Sequence, residues 1–552
     1  MKNGFDLRIT ADGRRLTQAS LVGLTGIRVQ QVLSAPTQCE LYFRSPPGPL
    51  ETARKLAIGT KLEVQLTNCE TSLFVGDVTA VEHEYGPENV QQIYVRGYDR
   101  LHRLRKRQQV RLFEKQTLGG LVREVAAEIG VQASVPLIKL NWDRLYQYQQ
   151  DDLALITHLA AQYGYYLTLR ENELHLITLE GMGQPHTLQL GDNLSQVRIE
   201  ANANDAADEI MVTGWNTSRM EMHTDTVKNG RSGRQIRVKT GDMRFDGRRR
   251  HYLVNENAPN QAQATALAQA ELDYRTATEV TLQGETDGDP KLQPGARVRV
   301  RGVERPLAGD YVLTEVTHDL QAGDYTTHIS TEPPSLPERT HSDVATFGEV
   351  SQINDPANAG RVRVTLPTYN DIETDWMNVV MPGAGPRKGF IMLPDKGDKV
   401  LVILTQGNPG QGIVVGGLFG ANRLPDDGVS LGSSVTSQSW FSPGGQRIQL
   451  DDQGNKIRLE NDSGAYIEMA GGRITIVGNR IDFRRINIAK QLLNEASDLI
   501  ASEETIRAEL TEWLQRQSER NGRVVVILII FAVITFLVFI GYVLFQSFFT
   551  GG

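Results

Sequence analysis

The residue types that most often do chemistry are present in this chain, but their spacing does not support it. Ten histidines are scattered with no HExxH, CxxC or paired Cys/His spacing, so no motif offers a zinc ion its ligands. The stretch "GAGPRKG" (383–389) has the glycines of a phosphate-cradling loop without its GK[ST] ending, and reads as a turn between two strands. "DDQGN" (451–455) and "DGDP" (287–290) resemble fragments of calcium loops, but strand-connecting turns use the same residues more often. No GxSxG elbow occurs, and nothing frames the cleft that a glycosidase needs between two carboxylates. The basic run "RLHRLRKRQ" (100–108) could hold an anionic ligand; a solvated or inter-subunit surface is the preferred reading. Cys39 and Cys69 lie far apart and read as small buried hydrophobes in a reducing compartment rather than as a disulfide. The expectation is a protein that is not an enzyme and holds no metal and no cofactor.

The elements that would carry these residues are mainly β with some α. The chain of 552 residues has 52 glycines, a net charge of −8 and recurrent turn pairs, which favour short strands and give a nucleic-acid backbone no global attraction. "TKLEVQL" sets Leu62, Val64 and Leu66 on one strand face, and Ile93 and Val95 alternate in the same way. Helical spacing appears in "LGGLVREVAAEIG" (118–130), in "DDLALITHLAAQYG" (151–164, capped by Asp151 or Asp152) and in "QAQATALAQAELDYRTA" (261–277). A weak internal repeat relates 56–95 to 292–329 and pairs Gly59 with Gly295, Leu62 with Val298, Val64 with Val300, Gly76 with Gly309 and His83 with His318. Two similar small barrels with helical insertions are therefore expected over 1–335. A Pro-rich linker follows at 336–343, then a compact β block at 344–421 and a loop at 422–441.

From 442 to 485 short strands recur with Asp, Asn or Gly turns between them. Ile448 with Leu450, Ile457 with Leu459, Ile467 with Met469, Ile474 with Ile476, and Ile481 with Phe483 supply the apolar positions. Strands this short close no core in one chain, so an intertwined trimeric β-prism needle is expected, with these ten residues as its core. A helical pattern then runs over 486–521. Leu492, Ala496, Leu499, Ile506, Leu510 and Trp513, with the polar Glu503 among them, form a heptad seam consistent with a coiled-coil stem. The region 522–546 reads as a transmembrane helix. Val524 to Phe545 carries no charge, and at helical rise its roughly 33 Å matches a bilayer core of about 30 Å. Arg520 and Arg523 flank its N-terminal end, which places the bulk of the chain in the cytoplasm by the positive-inside rule. The opening "MKNGFDLRIT" has no apolar core of a signal peptide, so synthesis in the cytoplasm is expected.

One block carries a resemblance. Residues 347–420 read "FGEVSQINDPANAGRVRVTLP…DWMNVVMPGAGPRKGFIMLPDKGDKVLVILTQGNPGQGIVVGGLF". This is similar to the OB-type domain of VgrG-like spike proteins of contractile injection systems and phage tails. The matching positions are Gly360, Arg361, Val362, Trp376, Gly385, Gly389, Pro394, Gly397, Asp398, Val400, Val402, Gly407, Pro409, Gly416 and Leu418. "VRGYDRLHRLRKRQ" and "YQQDDLALITHLAAQYGYYL" resemble the hub of the same proteins and of late control D proteins. The resemblance implies a homotrimer whose paired barrels present a pseudo-sixfold face to an inner tube. It also implies baseplate partners, an effector or tip cap, and an OB-fold collar that reads no nucleic acid. Some phage spikes insert a lysozyme-like domain after the OB domain, and only about twenty residues stand there in this chain. Two destinations follow: the producer's own membrane, or a target membrane reached on an injection particle. The alternative is a tail-anchored membrane scaffold whose OB domain binds nucleic acid or glycan.

Overall fold

The computed structural model describes residues 7–482 apart from 45–54, 68–70, 88–89, 218, 239–248, 322, 337–341, 421–423, 426–429 and 432–433. Cys69, Phe483, the stem seam and the membrane segment with its flanking arginines lie outside the described residues. Among the described residues no helix is long and apolar enough to cross a membrane. The chain groups into two compact units. One is Met1–Val380 with Met392–Leu418; the other is Met381–Ile391 with the chain from Phe419 onward.

The first unit opens with β1 (Leu7–Ala11), β2 (Leu24–Val32), β3 (Gln38–Arg44), β4 (Lys61–Leu66), β5 (Ser72–Tyr85) and β6 (Gln91–Tyr98). Helices α1 (Leu118–Glu128) and α2 (Asp152–Gln162) follow, then β7 (Met182–Gln189), β8 (Leu194–Ala201) and helix α3 (Gln261–Thr278). Each helix starts where a short polar side chain takes up an orphan backbone N–H. The Thr117 hydroxyl accepts from Gly120 N at 3.0 Å, the Asp151 carboxylate from Ala154 N at 2.8 Å, and the Asn260 carbonyl from Gln263 N at 2.9 Å. Asp151 is thus the cap of α2, and Asp152 is fully buried against Arg111 and Gln147. The apolar faces of the three helices form one core with Leu121, Val125, Ile156, Leu267 and Leu272.

After α3 come β9 (Val280–Asp287), β10 (Ala296–Arg301), β11 (Gly309–Val312), β12 (Glu315–Gln321) and β13 (Asp324–Ser330). An eleven-stranded sheet runs in the order β8-β9-β13-β12-β2-β3-β6-β5-β4-β1 and ends on the two-residue strand Arg14–Arg15. The two repeats keep separate apolar cores, one around Leu41, Val64 and Val95 and one around Leu282, Val298 and Val316. The pairing of β12 with β2 joins the two repeats in one sheet.

The register shows how the repeats correspond. Leu41 faces Val95, which faces Val81; Gly284 faces Ile329, which faces Val316. The next pairs, His83 with Ile93 and His318 with Thr327, therefore occupy equivalent places. Val64 faces Phe74 and Val300 faces Gly309, while Leu62 faces Gly76 and Val298 faces Tyr311. The expected match of Gly76 with Gly309 is corrected: Gly76 corresponds to Tyr311, two residues on. Each glycine is small for its own reason. A Cβ on Gly76 would collide with the Tyr98 carbonyl oxygen, whereas one on Gly309, at φ +154°, would collide with the carbonyl oxygen of Gln235.

A six-stranded OB-type sheet completes this unit. Its strands are β14 (Val344–Gln352), β15 (Arg363–Leu366), β16 (Ile372–Glu373), β17 (Asn378–Val379), β18 (Lys399–Leu404) and β19 (Gly412–Leu418), ordered β16-β15-β14-β18-β19-β17. Val350, Val364, Val400, Val402 and Val414 fill its core, joined by Tyr146 from the hub. In the second unit β20 (Ser437–Phe441), β21 (Arg447–Asp451), β22 (Lys456–Glu460), β23 (Tyr466–Ala470) and β24 (Arg473–Val477) form an antiparallel meander in chain order.

His318 is fully buried, with Nδ1 3.0 Å from the Tyr325 hydroxyl and 3.2 Å from that of Thr327, and burial pulls its pKa down to about 4. The folded state therefore binds fewer protons than the unfolded chain between about pH 4 and 6.5, and stability falls as the pH drops through that window. His318→Gln is expected to flatten this acid limb by up to about 3 kcal/mol, read from thermal unfolding at pH 4.5 and 7.

Candidate functional site: an uncovered sheet face and a paired charge surface

The meander separates its side chains by polarity with strict period two. Ile448 faces Leu459, and Leu459 faces Ile467, which faces Ile476. Leu450 faces Ile457, and Ile457 faces Met469, which faces Ile474. Trp440 opposes Ile448, so one row of this face is apolar across all five strands, while in the second row Gln438 stands opposite Leu450. None of these residues reaches the buried core: most are half-buried, and Leu450 and Ile481 are exposed at 38% and 45%. Phe390, from the hairpin that groups with this unit, lies against Trp440 with ring centres 4.7 Å apart.

The other face is a charge lattice. Arg458 donates to Glu460 at 2.9 Å and to Glu468 at 2.8 Å, and its guanidinium lies 3.8 Å from the centre of the Tyr466 ring. Arg447 also pairs with Glu460, and Lys456 with Asp451. The arginines hold the Glu460 carboxyl below the usual carboxylate range, chiefly through the Arg458 hydrogen bond. This face suits water; the apolar one does not.

In the OB block, Arg361 forms a two-pronged ion pair with Asp355, at 3.0 and 2.7 Å. The same carboxylate accepts the backbone N–H groups of Ala357 and Ala359, and these bonds, led by Arg361, hold its pKa well below normal. Asp355 thus organises the turn that ends at Gly360, which has φ +71°. The sequence reading singled out Gly360 and Arg361 and missed Asp355; an Asp six residues before an Arg in "DPANAGR" was the available signal. Trp376 lies under the Arg363 guanidinium at 4.9 Å. Gly397 and Asp398 form the turn into β18, where Asp398 O accepts from Val350 N at 2.9 Å and Gly397 N donates to Val350 O at 2.8 Å. Pro394 precedes that turn, Gly407 follows β18 at φ +71°, and Gly416 faces Leu401 beside a β-bulge. Gly385 and Gly389 belong to a small hairpin, Ala384–Gly385 with Lys388–Gly389, which groups with the second unit and not with the barrel.

Several cations on or beside the OB sheet are engaged within the chain. Arg363 pairs with Glu373, Lys399 with Glu349, and Arg144 binds the carbonyl oxygens of Glu373 and Thr374. The basic run at 100–108 divides between core and surface, with Arg105 and Lys106 exposed. Leu101, His102 and Leu104 are buried; Arg103 forks onto Asp77 at 2.8 and 2.9 Å; Arg107 pairs with Glu128. Cys39 is fully buried, and burial pushes its thiol pKa up. Among the described residues no cluster of three or more His, Cys, Asp or Glu could hold a metal ion.

Comparison with known proteins gives this architecture a family. Residues 30–324, more than half of the chain, match the model described as phage tail baseplate hub (GPD). Residues 346–419 match the type VI secretion system/phage-baseplate injector OB domain. A hub sheet followed by an injector OB barrel defines a component of a contractile baseplate. The chain belongs to the phage tail baseplate hub family. It is similar to the type VI secretion system spike protein VgrG3 of Vibrio cholerae, 21% identical over 422 residues that cover 67% of this chain and 40% of that one. It is also similar to the actin cross-linking toxin VgrG1 of Vibrio cholerae, 22% identical, with 65% of this chain and 36% of the relative covered. The chain thus spans less than half the length of these curated relatives. A chain of the Francisella PdpA–VgrG complex shares the fold with a TM-score of 0.51 and 8% identity, over 85% of this chain and 79% of that one.

The Asp355–Arg361 pair generates a direct test. Asp355→Asn keeps the size of the side chain but loses the charge that the arginine and two amides hold. It is expected to lower the melting transition of the OB domain by roughly 4–8 °C, read by calorimetry, with the hub transition unmoved.

Proposed function

We propose that this chain is the trimeric hub-and-spike at the tip of a contractile injection apparatus, joining a sixfold inner tube to a threefold membrane-piercing needle. The observation that carries this reading is the meander with one apolar face left out of any core among the described residues. Water penalises such a face, and a lone antiparallel sheet of five-residue strands lacks the cover that makes it stable. Three copies winding about one axis bury the three faces against each other and turn the charge lattices outward. Membership of the hub family and the injector OB match support the same placement. The VgrG part of the Francisella complex, held with PdpA, supports a bound effector as a further partner. The reading is of a mechanical, non-enzymatic protein without cofactors; the paired cations of the OB domain weigh against an oligonucleotide ligand.

The proposal includes a C-terminal anchor, with Val524–Phe545 as its helix and Arg520 and Arg523 on the cytoplasmic side. The bulk of the chain is then cytoplasmic in the producing cell, with the apparatus tethered at its tip. If a chain ending at Arg523 stays with the membrane fraction as fully as the intact one, the anchor is wrong; the expected result is its release. The trimer is tested by Ile457→Asp, which puts a charge into the shared face. Native mass of the intact chain in mild detergent should be that of three copies, and the variant should fall largely to one. A wild-type chain of one copy refutes the reading.

A further inference from the structure

A cleft of about 700 Å³ lies within the first unit. On one side stand the hub strand Asn141–Gln147, helix α2 and the segments at 216–217 and 256–260; on the other stand OB residues 375–376 and 406–411. Hydrogen bonds between hub and OB sheet tie the two walls together. Asn378 Nδ2 donates to the Thr217 carbonyl oxygen at 2.7 Å, and Gln406 Nε2 to that of Asn255 at 2.7 Å. Gln411 Nε2 donates to Asn257 Oδ1 at 2.6 Å, and the Tyr146 hydroxyl to Glu373 O at 3.2 Å. The cleft is therefore built in advance, which spares a ligand the cost of ordering its walls.

The lining has a particular chemistry. Eleven of its residues are Asn or Gln and five are Trp or Tyr, among them Trp142, Tyr148 and Trp376. A carboxamide both donates and accepts, so it pairs with a hydroxyl or an acetamido group in either sense. A flat aromatic face suits the C–H side of a sugar ring. Charge is balanced, with Arg144, Arg219 and Arg361 against Asp143, Glu256 and Asp375. Arg361 is held by Asp355, and Arg144 by the carbonyl oxygens of Glu373 and Thr374. Burial lowers the His158 pKa, which favours its neutral form. A second observation points to a ligand: Thr217 lines the cleft, is 4% exposed, and its hydroxyl is buried without a partner in the chain. A buried hydroxyl is costly to leave unpaired, and a ligand hydroxyl would supply what it lacks.

We infer that this cleft binds a short uncharged oligosaccharide, its rings against the aromatic side chains and its hydroxyls paired to the carboxamides and to Thr217. The balanced charge gives a phosphate or carboxylate ligand no net attraction. A peptide is held by strand-edge pairing or by apolar anchors, whereas carboxamides outnumber aliphatic side chains in this lining. The volume falls in the range of pockets that enclose a small ligand. Every residue of the cleft belongs to one copy, so the inference does not rest on the trimeric reading. It adds a binding activity to a protein otherwise read as mechanical.

The test is calorimetric titration of the full-length chain, kept in a detergent without a sugar headgroup. The probes are the N-acetylglucosamine trimer, maltotriose and an uncharged, end-capped tripeptide. At least one of the sugars should bind with a dissociation constant of about 1 mM or tighter, and the peptide should not. Thr217→Val keeps the shape of the side chain and removes the unpaired hydroxyl. It should weaken sugar binding about tenfold while the melting temperature stays or rises, because no hydrogen bond within the chain is lost. Gln162→Ala, at a half-buried position on α2, should weaken it in the same direction. No binding of either sugar, tighter binding of the peptide, or sugar binding unmoved by both variants would each overturn the inference.

Discussion

Water drives apolar faces to find cover, and in the meander β20–β24 one apolar face has no covering layer among the described residues. The rest of the architecture follows from that constraint. A single sheet of five short strands can satisfy its inner backbone groups, but one side remains an aliphatic ladder from Trp440 to Ile476. The other side is a lattice of arginines and glutamates that belongs in solvent. In the proposed trimer the sheet is completed by two further copies, so that cover and symmetry become the same requirement.

The hub meets an analogous requirement with backbone groups in place of apolar faces. Two repeats are fused through the pairing of β12 with β2 inside the chain. The difference in burial between His318 and His83, which sit at matching positions, measures what that junction does to a strand edge. The OB sheet, which follows the hub in the chain, closes its core within one copy with Tyr146 of the hub. Its core closes on valines, and the Asp355–Arg361 clamp fixes its first long turn.

Much of this was legible in the residues, because period-two alternation and helix caps are local properties. The needle positions from Ile448 to Ile476 follow the alternation, and the three helices begin on Thr117, Asp151 and Asn260 as polar caps require. The repeat was readable where both copies bury a residue on the same strand face, as at Val64 and Val300. It misled at Gly76 and Gly309, because a glycine's reason lies in what passes over it, and those neighbours differ. In the basic run at 100–108 the ion pairs of Arg103 and Arg107 were not legible, because their partners Asp77 and Glu128 are distant in sequence. The grouping of Gly385 and Gly389 with the meander was equally invisible, since the hairpin leaves the barrel strands and returns within one short segment.

The central claim is that threefold assembly completes the fold. Electron cryomicroscopy of the full-length chain in detergent tests it most directly. The account predicts a threefold particle with a tapering β-needle on the axis and a pseudo-sixfold ring at the hub end. A monomer whose 437–477 meander stands folded alone, or a particle of twofold symmetry, would contradict it.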